Sequence, residues 1–137
     1  MSLVLDSSVA LAWCFEDEHT RATLSLLDQI SETGATAPAL WSLEVLNGLA
    51  MAERRGRLDA TQRHQFAGFL RDLPVSVDSE TASQAWTATA RLAEHYRLTL
   101  YDAAYLELAQ RLDLPLATLD QELRAAGSNL GVTLLGH

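Results

Sequence analysis

Five short apolar runs punctuate the chain at wide intervals: Ser2 to Leu5, Thr36 to Pro38, Val75 to Val77, Leu114 to Thr118 and Val132 to Leu135. The segments between them carry apolar residues at helical spacing, for example Phe66, Phe69, Leu70 and Leu73, or Tyr105, Leu108, Ala109 and Leu112. Strands separated by helices do not pair as tight hairpins. They pair in parallel through crossovers, and a parallel sheet must be covered on both faces. The chain of 137 residues therefore reads as one α/β domain, residues 1–137, with loops at the strand C-terminal ends gathering the ligand-binding side chains.

Local signals place the helices. Ser7 or Ser8 can cap a short helix around Val9 to Cys14, and the acids Glu16, Asp17 and Glu18 suit the first turn of a helix reaching about Ser31, ended by Gly34. A third helix runs from Leu40 to Arg55 and stops at Gly56. Asp59 and Gln62, three apart, form a capping pair for a fourth, which Pro74 breaks. A long helix from Glu80 to about Arg97 is expected to carry Ala82, Ala85, Trp86, Ala93 and Tyr96 on one side. A sixth follows from about Tyr101 to Leu112, and a short one after Asp120.

Charge narrows the chemistry. All ten basic residues are arginine, against 18 acids, for a net charge of -8. Without lysine there is no Walker phosphate loop, no Schiff-base nucleophile and no lysine-assisted phospho-aspartate site. Such acidity also argues against a general nucleic-acid binder unless bridging cations supply part of the charge. No apolar run approaches the ~20 residues of a membrane span. The first fifteen residues lack the basic start of a signal peptide, so a cytoplasmic location is expected. A lone cysteine, Cys14, excludes an internal disulfide and a thiolate zinc site.

Four acids stand in places of interest. Asp6 follows the first apolar run and Asp120 the fourth, so both emerge at one rim of a parallel sheet. Asp102 begins the sixth helix, three residues before Tyr105. Glu44 lies in the first turns of the third helix, with Asn47 on nearly the same face. Each acid has a plain alternative reading as a helix cap or a solvated residue beside a helix dipole. Together they would conflict: two carboxylates about 4 Å apart repel by roughly 4 kcal/mol at an effective dielectric of 20. A divalent cation removes that conflict, and all-oxygen ligands favour magnesium or manganese. Such a site can activate water against a phosphodiester without a protein nucleophile.

These residues resemble the PIN-domain family, and within it the VapC-type toxins of bacterial toxin and antitoxin pairs. The pieces are Leu3 to Ser8, Glu44 through Asn47, Leu98 to Leu106 and Leu116 to Asp120, with the four acids separated by 38, 58 and 18 residues. The resemblance implies a three-layer α/β/α sandwich with a mostly parallel central sheet. It implies a ribonuclease dependent on Mg2+ or Mn2+, with Asp6, Glu44, Asp102 and Asp120 holding the metal, and Ser8, Asn47 and Thr118 orienting carboxylates or waters. It further implies an RNA substrate, a homodimer and a VapB-type antitoxin as partner, docking on apolar helix surfaces such as those of Leu24, Leu27, Phe66 and Phe69. Two other readings stay open: a noncatalytic binding subunit of the same fold, and a metal nuclease acting on DNA.

The remaining conspicuous residues have plainer readings. His19, His64, His95 and His137 lack zinc-ligand spacing. Trp13, Trp41 and Trp86 fall in or beside amphipathic helices and read as core or interface rather than base-stacking residues. Arg54, Arg55 and Arg57 read as a solvated helix end more than a phosphate contact, and Glu16 to Glu18 as a solvated helix start.

Overall fold

The computed structural model describes residues 2–137. In chain order, β1 (Val4–Leu5) leads to α1 (Ser7–Ala12), a 3-10 turn (Glu16–Glu18) and α2 (Arg21–Thr33). Then come β2 (Ala35–Ala37), α3 (Trp41–Arg54), α4 (Ala60–Arg71) and β3 (Val75–Val77). One helical stretch follows as α5 (Thr81–Gln84), a π segment (Ala85–Thr89) and α6 (Ala90–Tyr96). The chain continues through α7 (Leu100–Leu112), β4 (Leu116–Ala117), α8 (Gln121–Leu130) and β5 (Leu134–Leu135).

The strands form one sheet in the order β3-β2-β1-β4-β5, and every pairing is parallel. Val4 is in register with Thr36 on one side and Leu116 on the other, so β1 is the central strand. The chain steps outward from β1 to β2 to β3, then returns past β1 to lay down β4 and β5. Right-handed crossovers put α1 to α4 on one face and α5 to α8 on the other, because the direction of travel reverses. The packing agrees: α3 touches α1 and α4, while α7 touches α6 and α8. The three-layer α/β/α arrangement expected from the sequence is what the molecule adopts. Its order reverses between β1 and β4, which is where a parallel sheet opens a crevice at the strand C-termini.

The core binds both layers to the sheet. Leu3, Val4 and Leu5 are fully buried, as are Leu116 and Ala117 beside them and Ile30, Leu49, Tyr105, Leu106 and Leu123 from the helices. Gly48 allows α1 to press on α3: a Cβ there would lie 2.5 Å from Leu11 Cδ1. That close approach brings the start of α1 beside Glu44.

Several local expectations are corrected. Glu16 to Glu18 do not open α2; they form a separate 3-10 turn. The helix starts four residues after Asp17, where Thr20 and Thr23 make a reciprocal capping box. Nor is Glu16 to Glu18 merely solvated: Arg57 bridges Asp17 at 3.2 Å and Glu18 at 3.1 Å, and its guanidinium lies 4.0 Å from the Phe15 ring centre. Trp86 is 86% exposed. Ala82 is exposed as well, and the inward face of that stretch keeps Ala85, Ala93 and Tyr96 from the expected side but completes it with Ala88, Thr89 and Leu92. The Asp59 and Gln62 capping pair forms as expected, in both directions.

Candidate active site

The first-strand run ends at Asp6, which the β-ladder holds by its backbone: Asp6 N–H donates to Ala117 O at 3.0 Å. Its side chain does not cap α1. Asp6 Oδ2 instead accepts from Ser8 Oγ at 2.6 Å and from Thr118 Oγ1 at 2.7 Å, and the residue is only 4% exposed. Thr118, fully buried, also accepts from the Asp120 N–H at 3.1 Å, and Ser8 Oγ accepts from the Leu119 N–H at 2.9 Å. Two hydroxyls thereby stitch the turn after β1 to the turn after β4. Arg124 ties the same edge from below, donating to the carbonyls of Thr118 and Leu135.

The other three acids reach this rim from helix starts. In a parallel α/β fold each helix runs back against its strand, so its N-terminus lies at the strand C-terminal edge. Asp120 is the N-cap of α8 and accepts from the Leu123 N–H at 2.8 Å, so the capping reading holds for one of its oxygens. Asp102 sits in the first turn of α7, which Thr99 caps through the Asp102 N–H, leaving the Asp102 carboxylate free of that duty. Glu44 stands in the first turn of α3. Its Oε1 accepts from Tyr105 Oη at 2.6 Å and from Ser7 Oγ at 3.4 Å.

The electrostatics are those of a crowded anionic site. Burial raises the Asp6 carboxyl above its ordinary range, opposed by the Ser8 and Thr118 hydroxyls and reinforced by the charge of Asp120. Burial likewise raises Glu44, with Tyr105 opposing and Asp6 adding repulsion. Asp102 is pushed up to about 6, by burial first and then by the charges of Asp120, Asp6 and Glu44. Burial and the Glu44 carboxylate hold the Tyr105 phenol well above its usual value, so it remains a donor. Among the described residues, no arginine or histidine forms an ion pair with any of the four acids.

The structure thus brings Asp6, Glu44, Asp102 and Asp120 into one electrostatic neighbourhood, with Ser8 and Thr118 against Asp6. Asn47 is not drawn in. It is exposed one turn beyond Glu44 and bonds to none of these acids. Two participants escaped the sequence reading, Ser7 and Tyr105. Tyr105 continues the stripe begun by Asp102, but a buried tyrosine at helical spacing is indistinguishable from a core residue until its hydroxyl finds Glu44.

A cation fits this donor set. No three His, Cys, Asp or Glu side chains among the described residues are close enough to hold an ion by themselves. A magnesium-type ion asks for less: it keeps several waters and uses one or two carboxylates plus a substrate phosphate. Hard oxygen donors without an ion-paired arginine or histidine among the described residues meet that requirement.

Fold and site together define a parallel α/β domain with an acidic, oxygen-lined crevice at the reversal of strand order. The PIN domain family model matches residues 3–129. The chain belongs to the PIN domain family. It is 30% identical over 127 residues to Ribonuclease VapC3 of Pyrobaculum aerophilum, covering 90% of this chain and 92% of that one. It is 34% identical over 100 residues to Ribonuclease VapC3 of Mycobacterium tuberculosis, covering 72% and 69%. Among solved structures, PAE2754 from Pyrobaculum aerophilum superimposes with a TM-score of 0.70 at 24% identity, covering 98% of this chain and 83% of that one. A chain of a toxin-antitoxin complex from Klebsiella pneumoniae does so with a TM-score of 0.56 at 18% identity, covering 86% of each.

Proposed function

We propose that this chain is an endoribonuclease, dependent on Mg2+ or Mn2+, acting as the toxin of a toxin-antitoxin pair. The observation that carries the reading is the set of four carboxylates at the β1/β4 crevice that repel one another, with no ion pair among the described residues to balance them. The ribonuclease names of its relatives supply the substrate class. Asp6, Glu44, Asp102 and Asp120 are the residues that would hold the ion. When bound, the ion supplies positive charge to a phosphodiester and acidity to an attacking water.

The chain's own residues do the rest. Ser8 and Thr118 occupy Asp6 Oδ2 and fix the carboxylate's rotation. Thr118 also fixes the backbone of Asp120, so the two acids keep their spacing as the substrate phosphate arrives. Tyr105 and Ser7 restrain Glu44 from the opposite side.

For partners, we propose a homodimer and a VapB-type antitoxin, in the cytoplasm. No helix among the described residues is long and apolar enough to cross a membrane. Exposed apolar side chains support a protein partner: Leu43 and Leu46 on α3, Leu24 on α2 and Phe69 on α4. Of the surface expected to receive the antitoxin, Leu27 and Phe66 are instead half-buried against the core, which leaves Leu24 and Phe69 to make first contact.

The test is RNA cleavage by protein purified free of antitoxin, with Mn2+ and with chelator. Asp6→Asn and Asp102→Asn are expected to abolish cleavage while remaining folded. Mutants as active as the parent would overturn the assignment.

A further inference from the structure

Tyr105 is fully buried, 61 residues from Glu44 in sequence, and on the opposite helical layer. Its hydroxyl nevertheless reaches Glu44 Oε1 at 2.6 Å, the short distance expected of an O–H donated to a carboxylate. The second contact to that oxygen, from Ser7, is long at 3.4 Å. Oε2 makes no hydrogen bond among the described residues. A half-buried glutamate with three rotatable side-chain bonds has no other short anchor than Tyr105. Its own helix offers none, and the charge of Asp6 repels it.

We propose that Tyr105 is a positioning residue: its hydroxyl occupies one oxygen of Glu44 so that the other is presented to a divalent cation at the crevice. This rests on the metal-dependent ribonuclease reading above. The geometry has a built-in economy. α7 supplies Asp102 from its first turn and the Glu44 strut from its second, so one rigid helix sets two of the four carboxylates. Packing alone does not require the hydroxyl, because phenylalanine would fill the same volume.

The experiment measures Mn2+ binding by calorimetry and RNA cleavage by the same preparations. Loss of one hydrogen bond to a charged group predicts about a tenfold weaker Mn2+ affinity for Tyr105→Phe. The RNA KM is expected to change by less than about twofold, since the ring never touches substrate. In a Glu44→Ala background, Tyr105→Phe is expected to add nothing, because the strut then has nothing to hold. Parental Mn2+ affinity in Tyr105→Phe, or an equal loss in the Glu44→Ala background, overturns the proposal. Glu44→Asp, which withdraws the carboxylate from the hydroxyl but keeps its charge, reads the same contact if Tyr105→Phe does not fold; parental affinity there also overturns it. The two readings separate cleanly. Weakened Mn2+ binding with RNA cleavage indifferent to Asp6→Asn would retain the strut and remove the ribonuclease. Cleavage lost in Asp6→Asn with Mn2+ affinity intact in Tyr105→Phe would do the reverse.

Discussion

Helix α7 joins two regions rich in acids that differ in whether a cation answers their charge. At its start, Asp102 faces Asp6, Glu44 and Asp120. Further along, Arg111 in its last turn meets Glu107, Asp78 and Glu80. Asp6 and Glu107 are equally buried, at 4% exposure each. Arg111 contacts Glu107 at 2.7 Å, Asp78 at 2.6 Å and Glu80 at 3.2 Å, so one guanidinium answers three carboxylates. Burial pushes Asp78 up, but the hydrogen bonds and charge of Arg111, with the Glu80 N–H and Thr81, outweigh it, and its carboxyl ends below its ordinary value. The same contacts hold Arg111 above its own. The three shifted acids of the crevice move the other way. The lesson is that burial of an acid does not by itself signal function. The signal is burial whose electrostatic cost the molecule leaves unanswered.

The largest effect should come from breaking the answered region. Arg111→Ala strands Glu107 and Asp78 and is expected to cost about 3 kcal/mol of stability, read by urea denaturation. By contrast Asp6→Asn, which removes a buried charge but keeps an acceptor for Ser8 and Thr118, should leave metal-free stability unchanged or raised in the same assay. A comparable loss in both variants would erase the distinction between the regions.

Adding the proposed cation is the next test. Mn2+ at one hundred times its dissociation constant should stabilise the parent by about 2.7 kcal/mol, since only the folded state assembles the site. The rise in Tm is expected to be larger at pH 8 than at pH 5, where Asp102 is largely protonated. Arg111 variants that fold should keep this response, and Asp102→Asn should lose most of it.

Protons discriminate the regions more gently. Asp102 titrates at about 6 in the folded chain against an unfolded value near its reference of 3.8, so the folded state binds the extra proton between those values. Its contribution is therefore favourable below about pH 4 and is lost as pH rises through 6. Asp78 runs oppositely: its contribution is present above the ordinary carboxylate range and is lost as pH falls through its depressed value. Metal-free thermal melts from pH 4 to 7 should show a shallower decline in Asp102→Asn than in the parent; identical slopes would count against the assignment. The smallest effect belongs to neither region. Trp86→Ala, at an 86% exposed position, should change stability by less than about 0.5 kcal/mol, measured by the same denaturation.

Much of this was legible before any coordinates. Asp6 and Asp120 follow apolar runs, and in a parallel sheet that alone sends both to one rim. Asp59 with Gln62 announced a helix start by local chemistry, and the start formed there. Thr20 with Thr23 was a signal of the same kind, masked by the acidic run before it. The misread residues had a different origin: Trp86 was placed on the inward face with Ala85, Ala93 and Tyr96 but is exposed, and Arg57 looked solvated because its partners Asp17 and Glu18 lie 40 and 39 residues away.

What the sequence determined by itself is therefore what depends on neighbours along the chain: strand and helix order, parallel topology, caps, and which acids begin which elements. Only the tertiary structure decided which acids are answered. Arg111 reaching Asp78 and Tyr105 reaching Glu44 span 33 and 61 residues. Such pairs are set by how layers pack across the sheet, and helical or strand periodicity carries no information about a meeting between two different elements.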